Sequence, residues 1–305
     1  MTRSEILFKT IDYLMHLPQN YKHFPDITIE KDLVYDEKYP YAAKGDIYYN
    51  KKFQDKGKYP VILNIHGGGY VGGDKKHRKS LSSYYADKGW LVFNINYRLS
   101  PMYPFPSGNS DCIKALNFLK TLEQKYNLDL DKVVVTGDSA GAYFATYIVA
   151  AVHNEELRKK LELPEPEVKV AGLMAFCGLY DVISAIDVKI PFGFGWDVGK
   201  CFLGMDLKRD FSNIHEYPHI KEVSSINYVN GDWCPTFVSY AQKDIFCPGQ
   251  GERFIEALEK NNIPVYSHHT TRLLDNHCYH LDMYRSKAKE CYKKVEEFLN
   301  IIKES

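Results

Sequence analysis

The chain has 305 residues, enough for one large α/β domain carrying an insertion. Lysine plus arginine equals aspartate plus glutamate at 39 each, which argues against nucleic acid, an anionic membrane surface or a polyanion as partner. There is no signal-peptide pattern or membrane span of roughly 18 apolar residues, and the seven cysteines show no CxxC pair or zinc-ligand spacing, so the expectation is a cytoplasmic protein with reduced thiols and no metal.

At the start, Ile6, Leu7, Ile11, Leu14 and Met15 recur at helical spacing behind Ser4, which predicts a short amphipathic helix packed on something larger. Strand-like stretches follow near 27–34 and 46–52. From Tyr59 onward, apolar strands at 61–65, 90–96 and 133–136 alternate with helices, the rhythm of a parallel sheet with crossover connections. The helix at 111–126 carries Ile113, Leu116, Leu119 and Leu122 on one face, whereas 140–153 is apolar on most sides and reads as a buried central helix. Strands at 168–176, 235–241 and 264–270 and helices at 251–260 and 284–302 continue the sheet. Between 181 and 230 the rhythm breaks, and IPFGFGWDVGKCFLGMDL reads as an insertion over the edge of the sheet where ligands bind in such folds.

Gly137-Asp138-Ser139-Ala140-Gly141 lies between the strand at 133–136 and the following helix, the setting of a nucleophile elbow that would project Ser139 above the sheet. His66-Gly67-Gly68-Gly69-Tyr70 follows the strand at 61–65, where an oxyanion loop belongs. Attack on an ester carbonyl builds negative charge on its oxygen, and backbone N–H groups of Gly68, Gly69 and Ala140 are the expected donors. His66 is read as holding that loop.

HGGGYVGGD, then YRLSPMYPFP with Asp111 beyond it, then GDSAG, occur in this order, and the chain thereby resembles the hormone-sensitive-lipase-like, HGGG-motif branch of the α/β-hydrolases. The resemblance implies an α/β-hydrolase fold: a central, mostly parallel sheet flanked by helices, with a helical cap from the N-terminus and from an insertion after the sixth strand. The corresponding division is 1–45 as N-terminal cap, 46–180 and 231–305 as core, and 181–230 as cap insertion, with Phe192, Phe194, Trp196 and Phe202 as acyl-pocket lining.

By the same resemblance Asp244, in Ala241-Gln242-Lys243-Asp244, is the acid, in preference to Asp275, which reads as a solvated loop residue. The base belongs in Asn276-His277-Cys278-Tyr279-His280; the family places glycine and then an aromatic after it, and His277 keeps the aromatic while Cys278 replaces the glycine. His277 is therefore preferred to His280. Asp138 and Arg98 are read as structural, and metal binding by His268, His269, His277 and His280 is not expected, because cysteine and carboxylate partners lack ligand spacing. The implied activity is a cofactor-free serine carboxylesterase acting on short- to medium-chain acyl or small aryl esters through an acyl-enzyme. A sugar or xenobiotic acetyl esterase, an amidase and a non-catalytic ligand-binding relative are the alternatives, and a homodimer is left open.

Overall fold

The computed structural model describes residues 1–187 and 193–305, except for the side chains of 186 and 187. Among these, eight strands form one sheet in the order β1-β2-β4-β3-β5-β6-β7-β8. They are β1 Ile27–Val34, β2 Lys44–Asn50, β3 Tyr59–Ile65, β4 Leu91–Ile95, β5 Leu128–Asp138, β6 Gly172–Phe176, β7 Thr236–Ala241 and β8 Val265–Thr270. β1 and β2 pair antiparallel, as do β2 and β4, and all other neighbours are parallel. Every residue of β3 and β4 is buried, as expected of Val- and Ile-rich strands covered on both faces.

The helices are α1 Arg3–Gln19, α2 Lys79–Asp87, α3 Ser107–Tyr126, α4 Ala140–His153, α5 Glu155–Lys160, α6 Phe194–Leu203, α7 Gln250–Lys260 and α8 Ser286–Glu304. One apolar core joins the sheet to α3, α4 and α7, and a second joins its other face to α2 and α8. α4 is buried from Ala140 to Ala151, as its all-round apolar surface requires. α2 has no apolar periodicity in the sequence; it is held by Leu81, Tyr84 and Tyr85, each side chain contributing about 1.5–3 kcal/mol on burial. β6 begins later than its apolar run, at Gly172, the first of its residues in register with β5.

The strand order turns back between β3 and β5, so the loop leaving β3 and the turn leaving β5 stand side by side, the usual place for a ligand in an open α/β sheet. Ile65 is in register with Gly137. On the other side of β3, Asn64 faces Asn94 of β4; both are buried, and their side-chain amides bond at 3.1 Å.

α1 starts with a capping box in which Thr2 Oγ1 accepts from Glu5 N and the Glu5 carboxylate accepts from Thr2 N. Its inward face differs from the expected apolar one, since Ile6 and Leu14 are 51% and 63% exposed. The helix docks instead along a largely polar stripe four residues apart. Ser4 N and Oγ donate to Asp197 of α6, Asp12 accepts from Gly73 N, and the His16 ring meets His77 edge-on. Residues 27–45 enter the sheet or connect its first two strands, so the segment outside the sheet is 1–26 rather than 1–45. No helix among the described residues is long and apolar enough to cross a membrane.

Candidate active site

Ser139 stands at the turn from β5 into α4 with φ 54° and ψ −121°, a strained conformation for a residue with a Cβ, costing about 1–3 kcal/mol. Its N–H donates to Phe176 O of β6 at 2.8 Å. A Cβ on Gly141 would lie 2.1 Å from Ile65 O, so only glycine lets β3 pass this close beneath the elbow. The preceding Asp138 is buried and takes a forked pair of 2.5 Å hydrogen bonds from Arg78. Burial raises the Asp138 carboxyl, but the guanidinium charge prevails and holds it below the usual range. Arg98 forks separately onto the buried Asp111.

The loop after β3 brings Gly69 to a cavity wall that it shares with Ser139 and Ala140. Among the described residues, the backbone N–H groups of Gly68, Gly69 and Ala140 and the Ser139 hydroxyl make no hydrogen bond. Gly68 does not line the cavity; its carbonyl accepts from Val71 and Gly72 and closes the loop. His66 is buried and its pKa is pushed down to about 4 by burial, so it is neutral; Nδ1 bonds Gly67 O at 2.7 Å and the ring stacks on Tyr97. From the opposite side α1 braces the loop: Asp12 Oδ2 accepts from Gly73 N at 2.9 Å, and the Phe8 ring covers Gly69 so closely that a Cβ there would fall 2.2 Å from it.

His277 Nδ1 lies 2.8 and 2.9 Å from the two carboxylate oxygens of Asp244. Oδ1 of Asp244 also accepts from Phe246 N and Cys247 N. Burial lowers the His277 pKa, but the charge and hydrogen bond of Asp244 outweigh it and raise the imidazole to about 9. Burial likewise raises Asp244, and His277 with the two backbone donors brings it below its usual value. Asn276 ties the two loops together, donating to Lys243 O and accepting from Ile245 N. The Phe246 ring meets His277 edge-on at 5.0 Å and lines the cavity with Ser139.

The competing residues lie elsewhere. His280 is fully buried, stacked on Phe176 at 4.2 Å, with neither ring nitrogen bonded, and burial drives its pKa to about 3. Asp275 is not the solvated residue expected: it is buried and paired with Arg285 at 2.9 Å. His268 bonds Tyr279 and His269 stacks on Tyr240.

The cavity measures about 120 Å³ and is walled by Phe8, Val182, Val198, Phe202, Leu207, Phe211, Ile214 and Phe246. Of the aromatics expected to line it, Phe202 does so and stacks on Tyr70 at 3.9 Å. Phe194 and Trp196 are not among the lining residues; Trp196 donates to Leu207 O. Phe192 lies outside the described residues.

Sequence spacing gave no hint of Phe8, Asp12, Arg78 or Cys177. Cys177, at the end of β6, comes to the same imidazole as Cys278, so that one ligand atom from each of Cys177, His277 and Cys278 lies within 4.8 Å of the others. Burial first, then its contact with Cys177, pushes the Cys278 thiol well above its ordinary pKa.

Residues 46–258 match the BD-FAE family model. The chain belongs to the BD-FAE family. Similar to this BD-FAE chain are the probable carboxylic ester hydrolase LipM of Mycobacterium tuberculosis, 28% identical over 78% of the chain and 53% of that protein, and Lipase 2 of a Moraxella species, 34% identical over 68% of the chain and 52% of that protein. The chain thus spans about half the length of these relatives. Esterase B of Lactobacillus rhamnosus superposes with a TM-score of 0.82 over 98% of this chain and 93% of that one, at 18% identity, which speaks for the fold. The α/β-hydrolase fold and the hormone-sensitive-lipase-like relationship expected from the sequence are borne out.

Proposed function

We propose that the protein is a serine carboxylesterase with Ser139 as nucleophile, His277 as base and Asp244 as the acid that orients it. The observation that carries this reading is the Asp244–His277 pair, reached through Phe246 from an apolar cavity that also holds Ser139 and the unbonded N–H groups of Gly69 and Ala140. Ser139 Oγ attacks the ester carbonyl while Nε2 of His277 takes its proton, and Asp244 holds the tautomer with hydrogen on Nδ1. The oxyanion is received by the N–H groups of Ala140, Gly69 and Gly68, one such donor being worth about 3–4 kcal/mol in acyl transfer. The imidazolium protonates the departing alcohol, and a water activated by the same nitrogen then hydrolyses the acyl-enzyme. None of these steps calls for a metal or organic cofactor.

Substrate size follows from the cavity. At about 120 Å³ it is well under the roughly 300–1,000 Å³ of sites for drug-sized ligands, and its apolar wall suits a short acyl chain. We assign α1 and the described part of the 181–230 insertion to the cap, on the Ser4–Asp197 link and on the cavity walls contributed by Phe8 and by α6. Seven cysteines without a disulfide support a reducing, cytoplasmic setting.

The test is hydrolysis of p-nitrophenyl esters from acetate to palmitate by the wild type and Ser139→Ala side by side. Activity highest on short chains and lost in the variant by about a thousandfold or more is expected. A Ser139→Ala enzyme that keeps its rate, or a wild type inactive on every chain length, overturns the reading.

A further inference from the structure

Three thiols crowd one imidazole. Cys177, His277 and Cys278 form one group of ligand atoms within 4.8 Å of one another, and Asp244, Cys247 and His277 form a second. Both cysteines of the first group are left-handed, Cys177 with φ 50° and Cys278 with φ 55°. A residue with a Cβ gives up about 1–2 kcal/mol in that conformation, and glycine would give up none. Two segments a hundred residues apart thus each bear backbone strain at the residue that sets a sulfur beside His277. Asp244 claims His277 Nδ1, which leaves Nε2 as the nitrogen a metal takes once its proton is off, the carboxylate–histidine arrangement that orients imidazoles toward metals.

We propose that Cys177, Cys278 and His277 form a binding site for a single thiophilic divalent cation of the zinc and cadmium class, and that the bound ion silences the hydrolase by occupying the lone pair of its base. The binding half stands on the geometry, and the silencing half rests on the reading of His277 as base. Two thiols, and the imidazolium where the ring is protonated, lose their protons to solvent as two metal–sulfur bonds and one metal–nitrogen bond form, and five of the six waters of the hydrated ion leave without any change of oxidation state. Bond lengths of about 2.3 Å to sulfur and about 2.0–2.1 Å to nitrogen require the three ligand atoms, now within 4.8 Å of one another, to draw in around the ion. Water completes a tetrahedron. Asp138, 3.9 Å from Cys278 Sγ, stays with Arg78. The spacing argument that speaks against a metal in the sequence fails because β6 supplies Cys177 from far along the chain.

The experiment titrates the full, chelator-stripped chain with cadmium chloride. It follows the ultraviolet thiolate-to-cadmium charge-transfer band and equilibrium dialysis, with p-nitrophenyl butyrate hydrolysis measured in parallel. One ion per chain, a rate falling in proportion to occupancy and full recovery with EDTA are expected. Cys177→Ser and Cys278→Ser should each weaken binding about tenfold or more, while Cys112→Ser, a thiol buried in the other core, should not. Cys278→Gly removes the same ligand while relieving the left-handed strain, so a misfolded serine variant does not blunt the test. A band that persists in the Cys177→Ser, Cys278→Ser double variant overturns the site, and full occupancy with an unchanged rate overturns the silencing. A chain that binds cadmium as stated yet hydrolyses no ester overturns the esterase reading and leaves the site standing.

Discussion

Replacing Asp244 with asparagine keeps the shape of the side chain and removes its charge. With Asp244 2% and His277 14% exposed, solvent screens their interaction little. The distance between an ordinary imidazole near 6.5 and the value of about 9 held here corresponds to about 3 kcal/mol of preference for the protonated ring. Because the folded-state pKa is raised, that stabilisation is complete below about pH 6.5 and is lost as the pH rises through about 9. On the proposed mechanism catalysis runs in the opposite sense, since only a neutral His277 would take the serine proton: wild-type kcat/KM should climb across the neutral range toward about pH 9. In Asp244→Asn the two largest raising effects go, leaving burial to lower the imidazole against only the smaller effects of Cys177 and Asp138, so the climb should move to lower pH. Its plateau should fall by about 10⁴-fold, because an amide no longer enforces the tautomer with hydrogen on Nδ1. The assay is the pH profile of kcat/KM on p-nitrophenyl butyrate for both proteins. A variant plateau within tenfold of the wild type, or an inflection that stays in place, would refute the reasoning.

Two further outcomes follow from the same geometry. His277→Ala should lose nearly all turnover while His280→Phe keeps most of it, since His280 stacks on Phe176 and bonds through neither nitrogen; the reverse ranking in a steady-state assay would exchange their roles. Arg78→Met should destabilise the fold by about 3–5 kcal/mol, because it leaves the Asp138 carboxylate buried and alone; chemical denaturation showing less than about 1 kcal/mol would mean that water reaches the pair.

What could be read from the sequence was local. The elbow occupies five consecutive residues between a strand and a helix, and the glycine run sits directly after a strand, so Ser139 with Ala140, and Gly68 with Gly69, are each legible from their own immediate neighbours. Asp244 and His277 needed the family resemblance, because no spacing rule ties residues 33 apart. Contacts that depend on remote packing were illegible. Arg78 reaches Asp138 across 60 positions, and Cys177 meets Cys278 only once β6 is laid in the sheet. Asp275 reads as a loop carboxylate because nothing near it announces Arg285, and α1 reads as apolar-inward because periodicity cannot tell that Ser4 and Asp12 have partners waiting. The positive φ of Cys278 explains the glycine that the family places there: the position wants no Cβ, and this chain keeps a thiol in spite of it.

The Asn64–Asn94 pair carries a consequence at a distance. A slip of one residue between β3 and β4 would separate two buried amides, each costing about 1–3 kcal/mol unpaired, and would carry the glycine loop about 3.3 Å along the sheet. That step is longer than the reach of a hydrogen bond, so on the proposed mechanism a mis-threaded sheet would carry donors that miss the ester oxygen. Two asparagines that never meet substrate therefore act as a gauge block for the site, setting the height of one loop against another from within the sheet.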